Sequence, residues 1–80
     1  MGKENNIVNQ YFKKELEESK VLVKVNPIHL KGTEITIFKD GNSELRELEF
    51  DHEIFEDLKE DGFKAASALE FNLYLSGLAK

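Results

Sequence analysis

The chain has 80 residues, no cysteine and a formal charge of −5. That length holds one domain, residues 1–80. The missing cysteines exclude disulfides and thiolate metal sites, and the acidic balance excludes a phosphate backbone as the natural partner. No apolar run is long enough for a bilayer, so no membrane partner is expected. The stretch Met1 to Asn6 lacks the apolar segment of a secretory signal, which makes the cytoplasm the expected location.

In chain order, a first helix is predicted from Asn5 or Asn6, either of which can cap it. Ile7, Val8, Tyr11, Phe12 and Leu16 recur at helical spacing, with Lys13, Lys14, Glu17 and Glu18 on the solvent side. Val21-Leu22-Val23-Lys24-Val25 reads as the first strand. Asn26-Pro27 interrupts it, and the apolar parity changes from odd (Val21, Val23, Val25) to even (Ile28, Leu30), so a bulge is expected there. Lys31-Gly32 is read as a tight turn, which would set Leu30 opposite Thr33 and Ile28 opposite Ile35.

Residues 33–50 form the strongest local unit, a β-hairpin turning at Asp40-Gly41. Ile35 and Ile37 point to one face, and Glu34, Thr36 and Phe38 to the other. Leu45 is out of phase with Leu48 and Phe50, which predicts one extra residue near Arg46-Glu47. The inner face then includes Ile28, Leu30, Ile35, Ile37, Leu45, Leu48 and Phe50, and Phe38 is left outward.

Next comes a helix over 52–61. Asp51 is its N-cap, Phe50 and Phe55 form a hydrophobic staple, and Ile54, Phe55 and Leu58 make the apolar stripe. Gly62 followed by Phe63 closes it as a Schellman motif. The segment 67–78 alternates like a strand through Leu69, Phe71, Leu73 and Leu75. The capping box Ser67/Glu70 and the stripe Phe71, Tyr74, Leu75 and Leu78 favour a helix. A second stripe, Ala66, Leu69 and Leu73, suggests burial against another layer or another copy.

The expected fold is therefore α+β in the order α-β-β-β-α-α: a three-stranded antiparallel meander with helices packed on one face. This order is similar to that of double-stranded-RNA-binding domains, which carry basic residues at the start of their second helix. Here that position holds Asp51-His52-Glu53-Ile54-Phe55-Glu56, of the opposite charge. No RNA binding is expected.

Residues 44–61 hold nine acids against Arg46 and Lys59. Within them Glu53, Glu56, Asp57 and Glu60 share one helical face, a docking surface for a basic protein. His29 is placed on the outer side of a strand. His52, between Asp51 and Glu53, has no second histidine at helical ligand spacing, so no metal site is expected. The glycines punctuate turns and form no phosphate loop, and no cofactor is expected. The sequence thus points to a small acidic interaction module that self-associates, a homodimer being the simplest form (partner-binding residues Glu53, Glu56, Asp57, Glu60, Phe38, Leu69 and Leu73). The alternative is a small enzyme or ligand-binding subunit with a site at a subunit interface, using carboxylates and His29 or His52.

Overall fold

The computed structural model describes residues 8–78 and shows a five-stranded antiparallel sheet with two helices. In chain order the elements are β1 (Gln10–Glu15), β2 (Ser19–Asn26), β3 (Lys31–Phe38), β4 (Ser43–Glu49), α1 (Ile54–Glu60), β5 (Lys64–Ala65) and α2 (Ala68–Leu78). The strands lie in the order β4-β3-β2-β1-β5. The α+β class and the antiparallel meander agree with the sequence reading, but the sheet has two more strands than expected.

The first of these is β1. The segment read as a helix is a strand, with Tyr11 opposite Lys24, Phe12 opposite Val23 and Lys13 opposite Leu22. Side chains alternate along it, so Tyr11 and Phe12 face opposite sides of the sheet. Tyr11 packs with Leu22, Ile35 and Phe71, whereas Phe12 packs with Val23, Val25 and Leu58. Asn5, Asn6 and Ile7, assigned to that helix, lie outside the described residues. The likeness to the RNA-binding topology ends here, since the chain's first described element is a strand.

β2 is the centre of the sheet. Its run of Val and Leu suits a strand covered on both sides. Leu22 and Val25 are fully buried and Val23 nearly so. The even positions face α2, where Leu22, Ile35 and Phe71 form one buried cluster. The odd positions face α1, where Val23, Val25 and Leu58 form the other, flanked by Phe12, Phe50, Phe55 and Phe63. The helices therefore cover opposite faces, a correction to the expected one-sided arrangement.

That correction removes both expected bulges. Asn26-Pro27 is no bulge but the start of a turn. The Asn26 side-chain carbonyl accepts from the N–H groups of Ile28 (2.8 Å) and His29 (3.1 Å). Leu30 closes the turn with φ 57°, so Ile28 and Leu30 are not strand residues and Ile28 is exposed. Lys31 and Gly32 belong to β3 instead of a turn, and Ile35 is paired with Leu22. The β3–β4 register runs unbroken from Lys31–Glu49 to Ile37–Ser43. Leu45 thus shares a face with Ile35, while Leu48 faces the α1 side.

The Asp40-Gly41 turn forms as read. Asp40 Oδ1 accepts the Asn42 N–H at 2.9 Å, and Gly41 takes φ 98°. α1 starts two residues later than expected. Asp51 does not cap it as N-cap; its carboxylate accepts the Glu53 N–H at 3.0 Å, one turn before the helix. The end is a Schellman motif, with Phe63 N–H on the Leu58 carbonyl (2.9 Å) and Gly62 N–H on that of Lys59 (3.1 Å). Gly62 has φ 90°, where a side chain would be strained. α2 begins with Ser67 Oγ accepting the Glu70 N–H at 3.0 Å, the first half of the capping box.

Candidate functional site

The expected partner-binding residues fall on three separate places. Glu53, Glu56, Asp57 and Glu60 are all exposed on or just before α1, the side of that helix turned away from Leu58. Phe38 lies on the α1 side of the sheet by register, as expected for its parity. It is half-buried at the end of β3, where it lines a shallow hollow with Leu16, Ser19 and Ile37. Leu69 and Leu73 are on α2, 70% and 65% exposed. The three places do not form one contiguous site.

The geometry of α2 follows from its period. Residues 3.6 to a turn put Leu69 and Leu73 almost opposite Phe71, which is fully buried against Leu22 and Ile35. Around the outward leucines stand Ala68, Asn72, Ser76 and Gly77, all exposed. None of these six residues carries a charge, although charged residues make up 34% of the chain. The helix thus presents a strip of leucine and small residues that water covers at a cost.

The single charged residue of α2, Glu70, is turned sideways into a cluster that sequence reasoning missed. Lys20 Nζ donates to Glu70 Oε2 at 3.0 Å and to the Tyr74 hydroxyl at 3.1 Å, and Lys13 Nζ donates to Glu70 Oε1 at 3.2 Å. The Lys20 ammonium also lies 4.8 Å from the Tyr74 ring centre. The hydrogen bond from Lys20, then that from Lys13, holds the Glu70 carboxyl below its ordinary 4.5. The bond to Glu70, then that to Tyr74, raises Lys20 above its ordinary 10.5. A lysine held protonated has no lone pair for nucleophilic chemistry. The cluster ties α2 to β1 and β2. Its only trace in the sequence was Glu70's place in the capping box, which gave no sign of distant lysines.

The two histidines lie in separate turns. His29 is exposed in the β2–β3 turn, a correction to its assigned strand, and His52 is exposed in the turn before α1. Among the described residues no group of three or more His, Asp or Glu side chains is placed to hold a metal ion. A hollow of about 440 Å³ opens where the chain enters β5, lined by Lys13, Lys14, Glu15, Gly62 and Lys64. Two of its lysines are engaged: Lys13 with Glu70, and Lys14 over the Phe63 ring at 5.8 Å. No helix among the described residues is long and apolar enough to cross a membrane.

The chain matches no protein-family model, no curated protein and no solved structure.

Proposed function

We propose that this chain is a small protein-interaction module that self-associates through the outward face of α2 and offers its acidic surface, β4 through α1, to a basic protein. The observation that carries the reading is the charge-free strip around Leu69 and Leu73. A two-fold interface sets the same patch against itself, so any charge on it meets its like. Two copies of a chain carrying −5 repel one another over most of their surface. On α2 the leucines of one copy can meet those of the next with no such penalty, and Ala68, Ser76 and Gly77 allow close approach of the helices. An eleven-residue helix is about 16 Å long. That is a small interface, so the association is weak and rises with concentration.

The acidic half of the reading is supported by exposure. Glu53, Glu56, Asp57 and Glu60 stand free of the sheet on a helix whose own apolar stripe is already buried. Partner charges would find them fully hydrated, which favours fast, salt-sensitive association over tight binding.

Sedimentation velocity over a wide concentration range tests the first half. The parent chain should shift toward dimer as concentration rises, and Leu69→Lys with Leu73→Lys should stay monomeric with an unchanged far-ultraviolet spectrum. A parent chain that remains monomeric throughout removes self-association. Affinity capture with Glu53, Glu56 and Glu60 changed to Lys tests the second half. An undiminished set of basic partners removes the acidic docking surface.

A further inference from the structure

β4 is an open edge of the sheet. Among the described residues no strand lies beyond it, whereas the opposite edge at β1 is closed by β5. Five of the seven β4 residues are exposed, including Leu45 at 50%. The backbone phase of this edge is fixed by two bonds at its ends. Phe38 N–H donates to the Asn42 carbonyl at 2.7 Å, and Phe50 N–H donates to the Leu30 carbonyl at 2.8 Å. Bonded pairs alternate along an antiparallel ladder, so Thr36–Glu44, Glu34–Arg46 and Gly32–Leu48 are the bonded pairs between. The N–H and C=O groups of Ser43, Leu45, Glu47 and Glu49 therefore point away from β3, to the open side.

The side chains along this edge select what can pair with it. Arg46 is held by Glu34, Nε to Oε1 at 3.3 Å, and the strand further carries exposed Glu44, Glu47 and Glu49. A second copy of β4 would bring those carboxylates into one ladder, where like charges repel. The β5 strand of another copy is two residues long and offers too few bonds to hold a seven-residue partner. β3 already displays a strand that β4 accepts: Lys31 opposite Glu49, Glu34 opposite Arg46 and Ile35 opposite Leu45.

Resting on the acidic-docking reading above, we infer that β4 binds its partner by strand addition: an extended lysine-bearing segment of another protein pairs antiparallel with Ser43–Glu49 and becomes a sixth strand. Read from its N-terminus, the segment places lysine, an apolar residue, lysine, any residue, an apolar residue and lysine opposite Glu49, Leu48, Glu47, Arg46, Leu45 and Glu44. The main-chain bonds supply the hold, and the alternate pockets and carboxylates supply the choice.

The test uses the whole chain, labelled with nitrogen-15, titrated with the end-capped peptide Lys-Val-Lys-Thr-Ile-Lys. Amide shifts concentrated at Ser43, Leu45, Glu47 and Glu49 are expected, weakening as salt rises from about 50 to 300 mM. Glu47→Pro removes an outward N–H without breaking a β3–β4 bond, so it should abolish the shifts and leave the fold. Glu47→Lys with Glu49→Lys should weaken binding about tenfold. The peptide N-methylated at its ladder-facing positions should not bind, a result that depends on no variant's folding. Equal binding of the N-methylated peptide, or shifts confined to α1, overturns strand addition and leaves the acidic-docking reading standing. No shift anywhere in the protein overturns both.

Discussion

Gly32 is the position where one added methyl group should do the most damage. It sits in β3 between Val25 of β2 and Leu48 of β4. A Cβ there would overlap the Lys24 carbonyl oxygen and come within 2.9 Å of both its carbon and the Phe50 ring. The ring can turn aside, but the Lys24 carbonyl is main chain of the central strand. Gly32→Ala must therefore part β2 from β3 locally. Losing about two ladder bonds at about 1 kcal/mol each, with overpacking of about 1–3 kcal/mol, gives roughly 3–5 kcal/mol. A domain of this size holds on the order of 4–12 kcal/mol in all. In urea, with a slope of about 1.5 kcal/mol per molar, the midpoint should fall by about 2 M or more. Gly77→Ala is the matched control, because a methyl there meets open space within α2. It should raise stability by a few tenths to about 1 kcal/mol. A Gly32→Ala midpoint within about 0.3 M of the parent would refute the clash.

Two further predictions concern α2. Phe71→Ala should cost about 3–5 kcal/mol, because a fully buried ring is lost from between Tyr11, Leu22 and Ile35. Hydrogen exchange should accelerate more in α2 than in α1, and equal acceleration would contradict separate clusters. The Glu70 cluster sets a pH window. The lowered Glu70 carboxyl stabilises fully above about pH 4.5 and loses its effect as pH falls through the folded value, while raised Lys20 stabilises fully below about pH 10.5 and loses its effect as pH climbs through its own. Glu70→Gln should lower Tm at pH 7 and flatten the decline at both ends, and identical acid limbs for parent and variant would count against the cluster.

What could be read from the chain, and what could not, has one cause. Wherever only one side of an element is buried, the period is visible. The stripe of α1 and the Phe71, Tyr74 and Leu75 stripe of α2 were found that way, and the hairpin was found from its Asp40-Gly41 turn. β1, β2 and β4 are apolar toward both faces. Tyr11 and Phe12 are adjacent yet serve different clusters, so their spacing from Ile7, Val8 and Leu16 imitates a helix. Leu45 and Leu48 are out of phase because they face opposite sides, and a reading that assumed one buried face had to insert a bulge to reconcile them. The lysines on Glu70 come from 50 and 57 residues away, a pairing no local pattern announces.

The alternation at Leu22 and Val23 makes β2 a wall shared by two small interiors. Each helix is moored to its own side, and a change of side chain beneath α1 meets the main chain of the sheet before it meets the packing under α2. The proposed self-contact on α2 and the acidic face of α1 are thereby insulated from each other. A substitution that reshapes one leaves the other's footing in place, so the two roles are free to drift apart in strength and in partner.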